Sequence, residues 1–423
     1  LRSSMTTGQI KTLNIAWKAL MSKVCVLSQR VPYPPNKGEK LRTYHQIEFL
    51  NRLGYEVEVF SLIETAEDKK NAEALAKHLG ISVNSYQLGS KFTRYASALL
   101  QGLPISVGAF YSKTLQHVID EKLKEGEDAL LLTASSLSYY IFNSPYYNTT
   151  HCRLFMDFMD VDSDKWAQYA DSSSLLMRCV YQRESKGIKK LEAKTNQRFD
   201  ECFLIAKEEA QLFNSSVDAS KAITVLGNGL DFDAFYPAKT QPCAATISTA
   251  PHFLFTGVMD YKPNVDAVLW FVKNCWPLIR EKAPNAKFTV GGMNPVEEIK
   301  ALSDRNGIDV TGFVDDILPY FHQAHAFVAP FRLARGVQNK VLQAAACRLS
   351  IITTSMGAEG ISFANADNMW IVDDIDSFVA ACLESIENFE LSQHKAQRSY
   401  QAIVSEYSWE QQLSPLMVAM ARI

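Results

Sequence analysis

The sequence lacks the cysteine patterns of disulfide frameworks and zinc sites. Its 423 residues include eight cysteines, and no two of them form a C-x-x-C pair. Several lie inside apolar segments, as Cys25 and Cys202 do. This distribution predicts buried free thiols in a reducing compartment.

Long apolar runs and a strong net charge are absent as well. No apolar run approaches the roughly 20 residues that span a bilayer, and residues 1–20 lack the apolar centre of a signal peptide. The net charge of -3 and the pI near 6.3 give no sign of general nucleic-acid binding. We therefore expect a cytoplasmic protein whose partners include no nucleic acid.

Several catalytic patterns are missing too. The loop after the first predicted strand is not G-x-G-x-x-G, so a nicotinamide cofactor is not indicated. The eight histidines show no ligand spacing, because His322 and His325 are three apart but His325 opens a strand. No Ser-His-Asp or Cys-His set stands out, and we expect neither a bound metal nor a covalent nucleophile.

The sequence does contain a repeating β-α pattern. Lys23 to Ser28 is a β-branched apolar strand, a helix follows from about Glu39 to Leu53 with Gly54 as its stop, and Glu56 to Leu62 is a strand again. This β-α-β unit predicts a parallel sheet. The pattern restarts at His252, which predicts an α/β protein with two similar Rossmann-like halves.

The chain length indicates two domains, or three at most. Gly227 to about Pro251 contains Gly-Asn-Gly and a small polar tract, which is typical of an interdomain linker. Met21 begins the first strand pattern, so we expect the residues before it to form a poorly ordered extension. The predicted divisions are residues 1–20 (extension), 21–226 (first domain), 227–251 (linker), 252–408 (second domain) and 409–423 (a last helical segment with an apolar stripe).

The stretch from Val328 to Ala346 predicts a binding site. A short apolar run from Ala326 to Ala329 ends at Pro330, and a cationic turn and a helix follow. The turn carries Arg332, Arg335 and Gly336, and the apolar helix face carries Val337, Val341, Leu342 and Ala345. Ligands of open parallel sheets sit at strand carboxyl ends, against helix N-termini, where free N–H groups and guanidiniums suit phosphate oxygens. The sequence therefore predicts a diphosphate site, and so a sugar-nucleotide site, although each arginine taken singly would be assigned to the surface.

Four sets of residues together indicate a family. They are Gly227 to Asp231 with Phe235 to Pro237, Thr256 with Gly257, Thr311 to Asp316, and Val328 to Ala346. Together they resemble a GT-B glycosyltransferase of the retaining family 4 type. A narrower resemblance is to the sugar transferases associated with PEP-CTERM/exosortase exopolysaccharide systems. It rests on Ser28 to Thr43, Met156 to Ala170 and Ala334 to Lys340.

The resemblance implies two Rossmann-like domains that face each other across a cleft. It places the nucleotide sugar on the C-terminal domain and the acceptor on the N-terminal domain, with the final segment, Trp409 to Ile423, crossing back to the first domain. The implied reaction moves a hexose from a UDP- or GDP-sugar to a glycan or lipid-linked glycan, with retention, by front-side substitution without a metal. No cofactor is implied beside the donor substrate, and the implied setting is exopolysaccharide biosynthesis.

This interpretation assigns roles to individual residues. Arg335, Lys340 and Lys262, together with Arg332, are the cations that could neutralise the leaving diphosphate, and we expect two of these four to act. The expected donor-binding residues are Gly38, Gly257, Gly312, Phe313, Val314, Arg332, Gly336, Val337 and Gln343. Gly38 would let the backbone approach the diphosphate, although a plain glycine at the start of a helix fits its position equally.

One departure from the family concerns two carboxylates. Family 4 enzymes usually carry two glutamates eight positions apart, which flank the donor's sugar and ribose. Here the second falls on Gln343, and eight residues earlier is Arg335. An amide makes weaker hydrogen bonds than a carboxylate, and a guanidinium cannot replace one. Two interpretations stay open: this subgroup holds its sugar differently, or its activity is reduced or lost.

An acidic run follows the strand predicted at Arg153 to Phe158. It comprises Asp157, Asp160, Asp162 and Asp164. A D-x-D pattern suits Mg²⁺ or Mn²⁺, but that motif belongs to the other glycosyltransferase fold. We expect Asp160 or Asp162 to bind an acceptor hydroxyl, with Lys165 and Trp166 beside them. Trp166 as a platform for a sugar ring and Trp166 as a core residue fit equally.

Lys91 to Tyr111 mixes two cations, Lys91 and Arg94, with aromatic residues and leucines. Two interpretations remain open. The segment rests on the inner membrane face, in a transferase that extends a lipid-linked glycan, or it is a core helix with two exposed cations. The second is favoured.

Two other functions remain compatible with the sequence. A sugar-nucleotide epimerase is the alternative enzyme with the same fold. A non-catalytic partner protein that binds a sugar nucleotide is the alternative outside enzymes, and it is motivated by Arg335 and Gln343.

Overall fold

The computed structural model describes residues 23–35, 38–126, 129–171, 173–240, 242–303, 307–333 and 337–421, without the side chain of Leu176. The expectations for residues 1–20, for Arg335 and for Gly336 therefore lie outside the described residues. The chain divides into two compact units. The first comprises the described residues up to Asn228 and those from Gln412 onward, and the second comprises Gly229 to Gln411.

The first unit is built on a parallel sheet. Its described strands are β1 (Lys23–Ser28), β2 (Glu56–Ile63), β3 (Ser82–Gln87), β4 (Ala129–Leu132), β5 (Arg153–Met159), β6 (Glu201–Leu204) and β7 (Thr224–Val225). They pair in the order β3-β2-β1-β4-β5-β6-β7, and every pairing is parallel. The strand order therefore reverses between β1 and β4, the place where open sheets bind ligands.

Helices connect these strands. Those described are α1 (Gly38–Arg52), α2 (Ala66–Leu79), α3 (Lys91–Leu100), α4 (Ile105–Ala109), α5 (Lys113–Glu125), α6 (Ser138–Phe142), α7 (Asp162–Asp171), α8 (Leu175–Arg198) and α9 (Lys207–Ser216). α2 shows how local sequence sets the bounds of a helix. Thr65 and Asp68 form a capping box at its start, and Gly80, with a φ of 66°, ends it.

The second unit repeats the pattern of the first. Its described strands are β8 (His252–Thr256), β9 (Lys287–Gly291), β10 (Ile308–Gly312), β11 (Ala326–Ala329), β12 (Ser350–Thr353) and β13 (Trp370–Ile371). They pair in parallel in the order β10-β9-β8-β11-β12-β13. The strand order reverses between β8 and β11, as it does between β1 and β4 in the first sheet.

The helices of this part of the chain follow the same alternation. Those described are α10 (Ala244–Thr249), α11 (Lys262–Trp270), α12 (Trp276–Lys282), α13 (Glu297–Lys300), α14 (Leu318–Gln323), α15 (Asn339–Ala346), α16 (Ile375–Glu387), α17 (Phe389–Glu406), α18 (Trp409–Gln412) and α19 (Ser414–Met420). A π-helical segment, Phe271–Cys275, joins α11 to α12.

Each unit has its own hydrophobic core around its sheet. All four residues of β4 and all four of β11 are buried, as expected for parallel strands with both faces covered. Leu130 and Leu154 belong to the core of the first unit, and Phe253 and Phe327 belong to the core of the second. The two sheets are therefore supported independently.

Two segments differ from the expected divisions. The segment expected as a linker contains α10, whose Ile247 is buried. The last segment is not one helix, because Pro415 begins a new one in the first turn of α19. The boundary between the units falls between Gln411 and Gln412, so Trp409 belongs to the second unit.

Candidate functional site

The carboxyl ends of β8 and β11 define a candidate site in the second unit. Ligands of open parallel sheets bind where the strand order reverses. Gly257 follows β8, and its N–H donates to the carbonyl oxygen of Gly291 at 2.9 Å. Phe331 follows β11, and the helices α11 and α15 bring Asn264 and Lys340 into contact nearby.

Lys340 is a half-buried cation of this site. Its Nζ donates to Asn264 Oδ1 at 2.7 Å and lies 4.7 Å from the ring centroid of Phe331 and 5.6 Å from that of Phe255. Among the described residues, no carboxylate forms an ion pair with it. Burial lowers the pKa of Lys340 to about 8, because a low-dielectric environment penalises the charged form. An incoming anion would stabilise this ammonium group.

Asn264 orients Lys340, and the sequence interpretation did not include it. Only 3% of Asn264 is exposed, and its Nδ2 donates to the carbonyl oxygen of Val258 at 2.9 Å, which leaves Oδ1 for Lys340. A Cβ at Gly257 would come 2.6 Å from Asn264 Nδ2, so glycine is required there. The available signal was the Lys-Pro-Asn sequence after a predicted strand, since Pro263 fits the first turn of a helix.

The other predicted donor residues of the second unit are distributed around these loops. Gly312 ends β10 with a φ of 65°, a left-handed conformation that glycine favours. Phe313 beside it is 67% exposed, and Val314 is half-buried. Lys262 is exposed at the start of α11, and Val337 packs against the core of the unit.

Arg332 is engaged by a carboxylate of α11. Its Nε and Nη2 donate to Asp266 at 3.2 and 2.9 Å, and this pairing raises the pKa of Arg332. The side of the guanidinium that suits bidentate phosphate binding is thereby occupied. Arg332 is therefore committed to Asp266. Arg335 and Gly336 lie outside the described residues.

Gln343 lies on α15, three residues after Lys340, and is half-buried. Within the part of the chain that the structure describes, its side chain has no hydrogen-bond partner. An amide can both donate and accept, so this side chain is available to a polar ligand.

In the first unit, the predicted acceptor residues Asp160, Asp162 and Lys165 form one ion-pair cluster at the end of β5. Lys165 Nζ lies 2.7 Å from Asp160 Oδ2 and 3.7 Å from Asp162 Oδ1. Ser135 Oγ donates to Asp162 Oδ2 at 2.7 Å. Burial raises the pKa of Asp162. Burial opposes the charge of Lys165, but the hydrogen bond to Asp160 and the nearby carboxylates outweigh it and raise the pKa of Lys165.

Trp166 belongs to a cluster of three aromatic rings. Its ring centroid lies 5.8 Å from that of Tyr169 and 5.6 Å from that of Tyr181. Tyr169 is 54% exposed, and Trp166 is half-buried. Trp166 therefore lies at the surface of the first unit and not in its core.

A buried ionic network lies near the end of β5, beside the acceptor cluster. The sequence interpretation missed it. Arg42 and Asp157 are almost fully buried and form a bidentate pair at 2.6 and 3.0 Å. Gln46 Nε2 donates to the same carboxylate at 2.6 Å, and Arg42 Nη1 donates to Asn228 Oδ1 at 2.9 Å. The sequence does not reveal this role of Asp157, because its partner Arg42 lies 115 residues away in the chain.

Glu192 is a second buried carboxyl group that sequence reasoning missed. It is fully buried on α8 and accepts hydrogen bonds from the N–H of Ser163 at 3.1 Å and from its Oγ at 2.5 Å. Burial raises the pKa of Glu192 to about 7. The group holds the first turn of α7, which carries Lys165 and Trp166.

The segment Lys91 to Tyr111 contradicts the favoured expectation of a core helix with two exposed cations. Phe92 and Leu100 of α3 are 81% and 89% exposed. Arg94 is buried and its Nη2 donates to Glu64 Oε1 at 2.6 Å. The ion pair anchors the helix through its cation, so its apolar residues face outward.

Two of the described histidines, His322 and His325, contact backbone carbonyl oxygens. His325 is buried, burial lowers its pKa to about 3, and its Nδ1 lies 2.9 Å from the carbonyl oxygen of His252. His322 Nε2 lies 2.8 Å from the carbonyl oxygen of Tyr236. Within the described ranges, no three His, Cys, Asp or Glu side chains are grouped to hold a metal ion. None of the described helices combines the length and apolar composition that crossing a bilayer requires.

Known proteins resemble this chain in sequence. Residues 250–388 match the family model described as Glycosyl transferases group 1. An uncharacterized protein in the cps region of Klebsiella pneumoniae is 22% identical over 399 residues, which covers 92% of this chain and 97% of that protein.

Solved structures resemble nearly the whole chain. A mutant of S. aureus TarM, in complex with fondaparinux, alpha-GlcNAc-glycerol and UDP, has a TM-score of 0.60 at 9% identity, over 94% of this chain and 99% of that chain. Anabaena HepE, in complex with UDP and glucose, has a TM-score of 0.59 at 12% identity, over 95% of this chain and 100% of that chain. The predicted α/β fold with two Rossmann-like halves is confirmed. The chain thus has the GT-B fold, and residues 250–388 in its second unit are similar to the glycosyl transferases group 1 family.

Proposed function

We propose that this protein is a retaining glycosyltransferase that moves a hexose from a UDP- or GDP-sugar to a glycan acceptor in polysaccharide synthesis. The observation that carries the proposal is the half-buried ammonium group of Lys340, which has no carboxylate partner among the described residues. A donor diphosphate supplies the negative charge that this position favours. Two relatives add support, because HepE was solved with UDP and glucose and the Klebsiella relative belongs to a cps region.

The residues of the second unit act on the leaving group. When the bond between the sugar's anomeric carbon and the diphosphate breaks, negative charge grows on the diphosphate. Lys340, oriented by Asn264, neutralises this charge, and Lys262 at the start of α11 adds a second cation. Backbone N–H groups at the start of α15 add partial positive charge. The acceptor hydroxyl attacks the anomeric carbon on the same face, which gives retention, and its proton passes to the departing diphosphate oxygen. These cations serve in place of a metal.

Other residues of this unit position the nucleotide. Gly312, Phe313 and Val314 contact the base through their backbone, at the end of β10. Gln343 binds the ribose hydroxyls, since its amide has no partner among the described residues. Gly257 leaves room for the side chain of Asn264, which orients Lys340 towards the donor.

The first unit binds the acceptor in this proposal. Asp160 accepts a hydrogen bond from the acceptor hydroxyl, and Lys165 holds the carboxylate in place. The Trp166 ring, packed against Tyr169, lies against a sugar ring. α3 gives the protein a peripheral contact with the inner membrane face through its exposed apolar residues.

The test replaces Lys340 by methionine. We expect Lys340→Met to weaken UDP or GDP binding at least about tenfold, because a lost charge-assisted hydrogen bond costs roughly 1.5–3 kcal/mol. The control is Lys282→Met, an exposed lysine at the end of α12. Calorimetry with UDP and GDP, followed by hydrolysis and transfer assays over a panel of UDP- and GDP-hexoses, provides the readouts. Equal nucleotide affinity in Lys340→Met and the wild type contradicts the proposal.

Gln343 favours a second candidate function, which is the binding of a sugar nucleotide without its turnover. Where related enzymes carry a glutamate, the neutral amide favours a protein that binds a sugar nucleotide without turning it over. Tight nucleotide binding with no hydrolysis or transfer, unchanged in Gln343→Glu, supports this candidate. Transfer to a glycan acceptor excludes it, and recovery of an epimerised, intact nucleotide sugar identifies the epimerase alternative.

A further inference from the structure

A pocket lies at the reversal of strand order in the first sheet. Its lining includes Ser28 at the end of β1, Thr133 after β4, and Met159 at the end of β5. Arg30 and the first turns of α1 complete it. These lining residues have no role in the donor or acceptor sites described above, but they adjoin Gly38, the first residue of α1, which the sequence analysis assigns to the donor.

One hydroxyl among the described residues of the pocket is unpartnered. Thr43 of α1 is only 3% exposed and lines the pocket, and its Oγ1 has no hydrogen-bond partner among the described residues. The other hydroxyls are used, because Ser28 Oγ lies 2.7 Å from Ser61 Oγ and Thr133 Oγ1 donates to the carbonyl oxygen of Leu27 at 3.1 Å. A ligand or a water in the pocket can therefore form a hydrogen bond with the Thr43 hydroxyl.

The charges around the pocket favour an anion. Arg30 Nη1 lies 2.5 Å from Glu39 Oε1, so these two charges offset each other. Lys40 also lines the pocket and makes no ion pair with any described residue. The first N–H groups of α1 add the partial positive charge of a helix N-terminus. The pocket therefore carries a net positive charge and an unused donor.

We propose that this pocket binds a phosphate group of the acceptor, so that the acceptor class is a phosphorylated sugar or glycan. The inference rests on the proposed transferase function, because that function supplies the acceptor. Met159 lines the pocket, and the next residue, Asp160, belongs to the acceptor cluster. Ser135, two residues after Thr133, donates to Asp162 of the same cluster. The phosphate site and the hydroxyl site therefore adjoin along the ends of β4 and β5.

The test uses the full chain and glucose 1-phosphate as the probe. We expect glucose 1-phosphate to bind in calorimetry, with methyl glucoside and inorganic phosphate binding at least about tenfold more weakly, because each offers only half of the contacts. Lys40→Ala and Thr43→Val should each weaken glucose 1-phosphate at least about fivefold. Valine keeps the shape of threonine and removes only the hydroxyl. Lys124→Ala, at the far end of α5, should bind like the wild type.

UDP distinguishes this inference from the proposed function. Lys40→Ala should leave UDP affinity unchanged, while Lys340→Met should weaken UDP and leave glucose 1-phosphate unchanged. If Lys40→Ala weakens UDP and not glucose 1-phosphate, the pocket belongs to the donor and the inference fails. If inorganic phosphate binds as tightly as glucose 1-phosphate, the pocket is a general anion site and the assignment to a phosphorylated sugar also fails. If neither Lys40→Ala nor Lys340→Met weakens UDP binding, that result counts against the proposed function and not against the phosphate pocket.

Discussion

The fold holds the half-buried ammonium group of Lys340 beside an amide oxygen and two aromatic rings. Its pKa falls from 10.5 to about 8, which corresponds to a cost of about 3 kcal/mol when the group is charged in the folded protein. Because the folded pKa is below the unfolded one, folding releases a proton between pH 8 and pH 10.5, and this group's contribution to stability rises with pH across that window. Such a cost is typical of a functional position.

The sequence located Lys340 but not its partners. Its place near the start of a helix after a buried strand followed from the pattern of Val328 to Ala346. Asn264 lies 76 residues away, and Asp266, which occupies Arg332, lies 66 residues away. Pairings at such separations depend on which strands are neighbours in the sheet, and no local pattern records that.

A second prediction at this scale concerns the buried pair Arg42–Asp157. Asp157→Ala leaves the guanidinium of Arg42 buried without its carboxylate, so we expect a loss of about 3–5 kcal/mol in the free energy of unfolding. Urea denaturation followed by circular dichroism measures this loss. Glu121→Ala removes an exposed partner of Lys124 and should cost less than about 1 kcal/mol. Equal effects of the two substitutions would show that the buried network is not a stabilising element.

Among the elements, the strands with continuous apolar residues could be predicted from sequence. β1 and β4 are buried on both faces and appear as apolar runs. β3 was missed because its residues, S-V-N-S-Y-Q, are mostly polar, and it is an edge strand with no buried residue. α7 was missed because its first turn, with Asp162 and Asp164, was assigned to an acidic run.

The orientation of α3 was predicted wrongly for a physical reason. Periodicity identifies an apolar face but not the direction in which that face points. The direction was set by Arg94 and Glu64, which are 30 residues apart. An ion pair between a helix and a distant strand end therefore reversed the expected orientation.

The exposed face of α3 predicts binding to lipid vesicles. We expect the protein to co-sediment with vesicles of phosphatidylglycerol and phosphatidylethanolamine, because apolar side chains insert at the headgroup boundary. The double variant Phe92→Glu and Leu100→Glu should reduce the bound fraction at least about fivefold. Leu278→Glu, an exposed leucine of α12, should not change it. If the wild type stays in the supernatant, or the double variant binds equally, α3 is not a membrane contact.

At the scale of the whole molecule, both units place a candidate site at the reversal of strand order. Asn264 and Lys340 lie near the ends of β8 and β11, and the phosphate pocket lies at the ends of β1 and β4. The β-α alternation predicted this architecture, since parallel strands need helical crossovers. The contents of each site could not be predicted in full, because they come from loops and helices far apart in the chain.

The central claim is that a diphosphate binds against Lys340, and the pKa of this group measures it directly. NMR of ¹³C-labelled lysine side chains, with Lys340→Met to assign the resonance, gives that pKa with and without UDP. We predict a pKa of about 8 in the free protein and an increase of at least about one unit on saturation with UDP, because a nearby anion favours the charged form. A pKa near 10.5 in the free protein, or one that UDP leaves unchanged, would contradict the account.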